Sequence, residues 1–366
     1  MSTLGEHIRR IREAYGFGLS QLARLSAISA SRIAEIESGS PFSTAELAQL
    51  AGALAVDPAH LHAGKVEETQ RTVARFRAPI GLSEIDGSDA RLLARAAEAG
   101  EICTELRTLL GKGTSPIEAC REPMAVTKGI EAWREGYELG SSARETLLPA
   151  HNALTSVQQC FEDLGVHVAF VHFEAQGIEA ASLFEPGSSP VILLNKSSSR
   201  VKYPLSRRAI LAHEMCHLLH DGGERDLTIV SREEGLDASG TEKRANGFAP
   251  NFLAPKDWVR SSGKNAKAIV TELAEKWGLS LEGAAWHAKN LGLIRESQVK
   301  QFRNDALKPG FESQFERELP RTPPDLFGIE AEPTDLARGY LSELAIVAAE
   351  EGAVSKARAA EIISLK

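Results

Sequence analysis

Along residues 1–64 apolar side chains return every three or four positions, with polar ones between them. Leu4, Ile8, Ile11 and Tyr15 form the inner stripe of a first helix, which Gly16 and Gly18 stop. Ser20 is placed to cap a short second helix, with Leu22 and Leu25 facing inward. Ala27-Ile28-Ser29 makes a tight turn, and Ser29 caps a third helix holding Ile33 and Ile36. The run Ser38-Gly39-Ser40-Pro41 ends that helix. A fourth starts near Ser43 or Thr44, with Leu47, Leu50 and Leu54 on one face, and a fifth follows Asp57-Pro58, where proline suits a first turn. The pattern predicts a compact five-helix unit over 1–64.

Residues 65–150 are polar and helical in character, rich in Ala, Glu, Arg and Leu, with one long helix expected over 90–110 and a break at 111–115. This segment is read as a helical connector or a dimerising arm, and a homodimer is expected. From 151 the pattern changes. A helix over 154–164 ends at Gly165, and apolar runs predict strands over 166–171, 177–184 and 190–195. Helices over 206–220 and 241–253 follow, the second ending before Pro255. Residues 261–366 predict further helices. Ile269, Leu273 and Trp277 precede Gly278-Leu279-Ser280, Ala284, Ala288 and Leu291 follow it, and the tail from Pro333 splits at 352–355. The fold class expected is α+β, mostly α. Its parts are a five-helix unit at 1–64, a connector at 65–150, a small sheet with helices at 151–260, and a helical region at 261–366.

The formal net charge of -8 argues against a wholesale basic surface, so any DNA contact must be local. No run approaches the roughly 18 apolar residues of a membrane span, and the N-terminus has no uninterrupted apolar signal segment. Cys103, Cys120, Cys160 and Cys216 are scattered, as in a reducing compartment. A cytoplasmic chain is expected.

The residues that carry chemistry stand in the string Leu211-Ala212-His213-Glu214-Met215-Cys216-His217-Leu218-Leu219-His220. Two histidines four apart project from one face of a helix and can share a metal, with zinc expected; other divalent ions suit the same donors. Glu214 adjoins the first histidine and is placed to act as general base. A third ligand from a metzincin-like continuation would need a glycine at position 220 and a histidine at 223, whereas the chain has His220 and Gly223. The gluzincin alternative takes a glutamate from a following helix, and Glu242 opens one; Glu233, Glu234 and Asp237 compete from a polar loop. Asn246 is a candidate to orient Glu242 or a histidine, and His220 either to reach the groups around the ligands or to answer the carbonyls at the helix end. Cys216 reads as a small core residue, and His287 and Tyr203 as structural.

The other candidate site is at the N-terminus. The second helix, turn and third helix fit a helix-turn-helix, whose third helix enters the major groove with Ala30, Ser31, Arg32 and Glu35 at the DNA. Arg32 is the expected base or phosphate partner, while Arg9, Arg10 and Arg24 can meet phosphates. A helical protein-binding module of the same shape is the rival reading.

With these residues assembled, the chain resembles a fusion of an XRE-type helix-turn-helix domain to an ImmA/IrrE-type metallopeptidase domain. The resemblance rests on Val191-Ile192-Leu193-Leu194-Asn195, the string from Arg208 to His217, Glu242 with Ala245-Asn246-Gly247-Phe248-Ala249, and Leu253-Ala254-Pro255. It implies His213, His217 and Glu242 as zinc ligands and Glu214 as base. It also implies cleavage of XRE-type repressors in stress or mobile-element responses, here by a protein that binds operator DNA through residues 1–64. The alternative is a transcription factor or antitoxin whose metal domain is a sensor with little turnover.

Overall fold

The computed structural model describes residues 4–56, 58–62, 87–125, 130–175, 177–221, 228–233, 240–306 and 336–364. It is α+β and mostly helical, and its packing divides it into two units. One is Met1–Glu98 with Phe173–Gln176; the other is Ala99–His172 with Gly177–Lys366.

In the first unit, α1 (Leu4–Ala14), α2 (Leu19–Ser26), α3 (Ala30–Glu37), α4 (Thr44–Ala53) and α5 (Pro58–His62) follow the expected order. Ile8, Ile11, Leu22, Ile33, Ile36, Leu50 and Leu54 are fully buried, so the helical period is what builds this core. One detail differs from expectation. Extended Gly18, not Ser20, is the N-cap of α2, without a side-chain hydrogen bond, and α2 runs on to Ser26, where left-handed Ala27 ends it. Ser29 caps α3 and Ser43 caps α4, the latter in a reciprocal capping box with Glu46. The long helix α6 (Gly87–Leu109) starts in this unit. Asp89 in its first turn accepts from the Glu174 and Ala175 amides at 2.9 Å each.

The second unit is built on a four-stranded sheet of order β1-β3-β2-β4: β1 (His167–Val171), β2 (Ile178–Phe184), β3 (Val191–Asn195) and β4 (Thr228–Glu233). β1 pairs with β3 in parallel, and β2 is antiparallel to both β3 and β4. β4 was not expected from the sequence. It takes Glu233 out of the polar loop assigned to it and onto a strand, while Glu234 and Asp237 lie outside the described residues.

Helix α10 (Pro204–His220) lies against this sheet, with Ile210, Leu211, Met215 and Leu218 sharing one core with Val168, Ala180, Ile192 and Leu194. Before the sheet come α7 (Pro116–Ala119), α8 (Ile130–Leu147) and α9 (Val157–Asp163, capped by Ser156). α11 (Gly240–Leu253) packs between α10 and α8. The same core continues through α12 (Ala266–Trp277) and α13 (Leu281–Asn290) into α14 (Glu296–Ala306). A second cluster joins Ala99, Ile102, Cys103 and Leu106 of α6 to α15 (Tyr340–Glu350) and α16 (Lys356–Ile363). Among the described residues, no helix is long and apolar enough to cross a membrane.

Candidate metal centre

Helix α10 is buried on all sides but one residue, Ala209, so its polar side chains are not a solvated face. Burying a charged or polar group is costly unless another group meets it, and His213, Glu214 and His217 have essentially no exposure. The four-residue spacing puts the two imidazoles on one side of the helix, with His217 Nε2 3.0 Å from His213 Nε2.

Glu242 arrives from the first turn of α11, with 17% of its side chain exposed. Its Oε2 stands 3.1 Å from His213 Nε2 and its Oε1 3.2 Å from His217 Nε2. These three residues form the one His/Cys/Asp/Glu group among the described residues whose donor atoms converge closely enough to hold a metal ion.

The donors fit a cation. His217 Nδ1 lies 2.6 Å from Asp221 Oδ2; a carboxylate accepts only, so Nδ1 carries the hydrogen and a neutral ring turns a bare lone pair inward at Nε2. Lone pairs and a carboxylate converging at about 3 Å repel one another without a positive charge between them. Tetrahedral zinc with bonds of about 2.0–2.1 Å sets its donors roughly 3.3 Å apart, close to the spacing found.

The electrostatics say the same. Burial opposes a charge on His217, but the carboxylates of Asp221 and Glu242 reverse that and push its pKa up to about 10. Burial would raise Glu242, yet the two histidines hold it far below the carboxylate range. Asp221 is likewise lowered against burial by His217 and Arg244.

The remaining expectations divide. His220 faces away from the donors: its Nδ1 donates to the Glu122 carbonyl at 3.2 Å and its ring packs edge-on to Phe248. Asn246 falls on the exposed side of α11, and no hydrogen bond of the described residues joins it to Glu242 or to either histidine. The group that orients a site histidine is Asp221, one helical turn after His217. Cys216 is a buried core residue. Tyr203 is the residue before α10, and His287 is buried on α13, its Nδ1 3.1 Å from the Tyr137 hydroxyl.

In the first unit, α2, the Ala27 turn and α3 give the helix-turn-helix its shape. Ser31 and Glu35 are exposed and Ala30 is half-buried, while Arg9, Arg10 and Arg24 are also exposed. Arg32 is 31% exposed and engaged: it donates to Glu46 at 2.8 Å, to Glu35 at 3.0 Å and to the Pro41 carbonyl at 2.7 Å. Its side chain ties α3 to α4 within the unit, a role the sequence did not suggest.

Comparison with known proteins follows the same partition of chemistry. Residues 161–287 match a peptidase family described as the IrrE N-terminal-like domain, and residues 3–63 match the Helix-turn-helix domain. No curated protein and no solved structure matches the chain.

Proposed function

For a chain that carries a helix-turn-helix domain and an IrrE N-terminal-like peptidase domain, we propose a DNA-binding regulator that is also a metal-dependent endopeptidase. The observation that supports it is the meeting of the His213 and His217 Nε2 atoms, 3.0 Å apart, with the two carboxylate oxygens of Glu242 at 3.1 and 3.2 Å, beside buried Glu214. Those three residues hold the metal, and zinc is the ion that two imidazoles and a carboxylate suit best. When bound, the metal supplies Lewis acidity, polarising a peptide carbonyl and making water acidic near neutrality.

The chain's own groups do the rest. Glu214, next to His213, takes the proton of the attacking water on a carboxylate oxygen and returns it to the departing amine nitrogen. Asp221 keeps the His217 ring in one tautomer. The N-terminal unit brings the protein to operator DNA, with α3 presenting Ala30, Ser31 and Glu35 to the groove; Arg32 joins them by exchanging Glu46 for phosphate. The substrate is a repressor-type protein partner, cleaved in a stress or mobile-element response, and the acting species is a homodimer.

Glu214→Gln tests the reading. Retained zinc with lost cleavage of the partner supports an endopeptidase. Cleavage at the wild-type rate removes Glu214 from the mechanism. Unchanged signalling in cells by the same variant means that the metal domain works as a sensor without proteolysis.

A further inference from the structure

An α-helix leaves its last four carbonyls without intrahelical partners, and at the buried end of α10 the first of these is met by the capping residue and the other three by a distant segment. His217 O accepts from the Asp221 amide at 3.1 Å, Leu219 O from the Glu122 amide at 2.9 Å, and His220 O from the Met124 amide at 3.0 Å. Arg121 donates to Leu218 O and, at 2.8 Å, to Asp221 O. Residues 121–124 thus run as an extended strap across the end of the helix that carries both histidines.

Arg244 joins this end from α11. Its Nη2 donates to His220 O at 3.1 Å and to Asp221 Oδ1, and its Nη1 to Met124 O at 3.4 Å. The side chain has no exposure, and a buried guanidinium needs an anion beside it. Asp221 is that anion in contact, with Glu135 further off at 3.8 Å. The two oxygens of Asp221 are therefore divided: Oδ1 belongs to Arg244 and Oδ2 to the Nδ1–H of His217, at 2.6 Å. With each oxygen bonded to a different partner, the carboxylate cannot turn away from the imidazole without giving up Arg244. Arg244 also sits two residues after Glu242 in the same helix, so α11 supplies one donor directly and steadies another from behind.

We propose that Arg244 is a positioning residue of the metal centre: by clamping Asp221 at the end of α10 it fixes the ring of His217 and so sets metal affinity without touching the metal. This rests on His213, His217 and Glu242 holding a metal. Arg244 makes no approach to a substrate and takes no part in proton transfer.

The test compares Arg244→Met, Asp221→Asn and the double variant with the wild-type full chain. Zinc dissociation constants are measured by chelator competition, the visible spectrum is recorded after loading with cobalt(II), and unfolding is followed in parallel. Outer partners of metal-bound histidine are typically worth roughly 10–100-fold in affinity, so each single variant should lose about that much and show an altered cobalt spectrum. The double variant, which removes both halves of the buried pair, should regain folding stability over the single variants while its zinc affinity stays low. Zinc binding within twofold of wild type and an unchanged cobalt spectrum in the double variant overturn the proposal. So does affinity that returns in step with stability, since that marks a pair holding only the fold. A wild-type chain that takes up no zinc sinks the metal reading itself, a failure distinct from this one.

Discussion

Gly247 of α11 lies so close to the carbonyl oxygen of Trp133 on α8 that a Cβ placed on it would stand 2.2 Å from that oxygen. The approach is mutual. Gly136 of α8 has the Arg244 carbonyl oxygen at 1.8 Å from such a Cβ, and Gly140 has that of Phe248 at 2.3 Å. Backbone meets backbone here, so no side chain can move aside. The spacing of α11 from α8, and with it the place of Glu242, depends on these glycines.

Gly247→Ala and Gly136→Ala should each therefore destabilise strongly. Overpacking usually costs about 1–3 kcal/mol, and with a rigid backbone as the obstacle we expect about 3 kcal/mol, with weaker metal binding alongside. Urea unfolding measures it. A change under roughly 0.5 kcal/mol, the scale of a neutral surface substitution, would show that the helices part without cost.

Metal uptake should follow pH. In the metal-free protein the pKa of His217 is pushed up to about 10, so near neutrality a proton holds the place of the cation and must leave on binding. Each proton displaced makes affinity fall about tenfold per unit of pH decrease. Isothermal titration in buffers of different ionisation enthalpy counts these protons, and a count of zero would contradict the assignment. Glu242→Ala should abolish stoichiometric binding in the same assay.

Acid should unfold the second unit before its carboxylates titrate. Burial lowers the pKa of His167 and of His287 from 6.5 to about 4, despite opposing hydrogen bonds that the rings donate to the Leu336 and Ala254 carbonyls. Above pH 6.5 both states are neutral and stability is complete. As pH falls from 6.5 towards 4 the unfolded chain gains protons that the folded chain refuses, so stability declines. By pH 5 the loss is about 2 kcal/mol per histidine. His217 titrates above this window. Unfolding midpoints at pH 7.5 and 5.0 should differ accordingly, and His167→Gln should remove part of the difference; an unaltered slope in that variant would refute the role given to His167.

DNA binding should be restrained by Glu46. Hydrogen bonds from Arg32 and Ser43 lower its carboxyl to about 2, so it stays charged and holds Arg32 at any physiological pH. Glu46→Gln keeps an oxygen for the Ser43 amide but removes the charge, and should strengthen binding several-fold at low salt, with a salt slope steeper by about one. Arg9→Ala or Arg24→Ala should flatten that slope by a similar amount. Mobility shifts at several salt concentrations decide between these outcomes, and equal slopes for Glu46→Gln and wild type would place Arg32 away from the DNA.

Much of this could be read from the chain itself, for reasons that are local. Ile8, Ile11, Ile33 and Ile36 announce their burial by helical period, and Ser29 and Ser43 announce the caps. His213 and His217 share a face because four residues make about one turn. Glu242 could be picked out because it opens a helix. What stayed hidden depends on contacts between distant segments. Asp221 is one turn past His217, a spacing open to inspection, but Arg244 at its other oxygen and the Glu122 and Met124 amides at the helix end leave no periodic trace. Asn246 looked well placed by spacing from Glu242, yet α11 turns that face outward to seat Gly247 on α8. Arg32 looked free because the sequence does not show Glu46 folding back on it.

The strap at 121–124 and the glycine-lined helix α8 both precede the stretch at 161–287 that matches the peptidase family. A fragment cut at residue 151, where composition suggests a border, would retain every proposed donor and still strip the carbonyls of Leu219 and His220 of their amide partners. It would also bare the flank of α11. Proteolytic or genetic trimming on that side should thus disable metal uptake from a distance, which makes the stretch from Pro116 to Leu147 part of the smallest unit able to work.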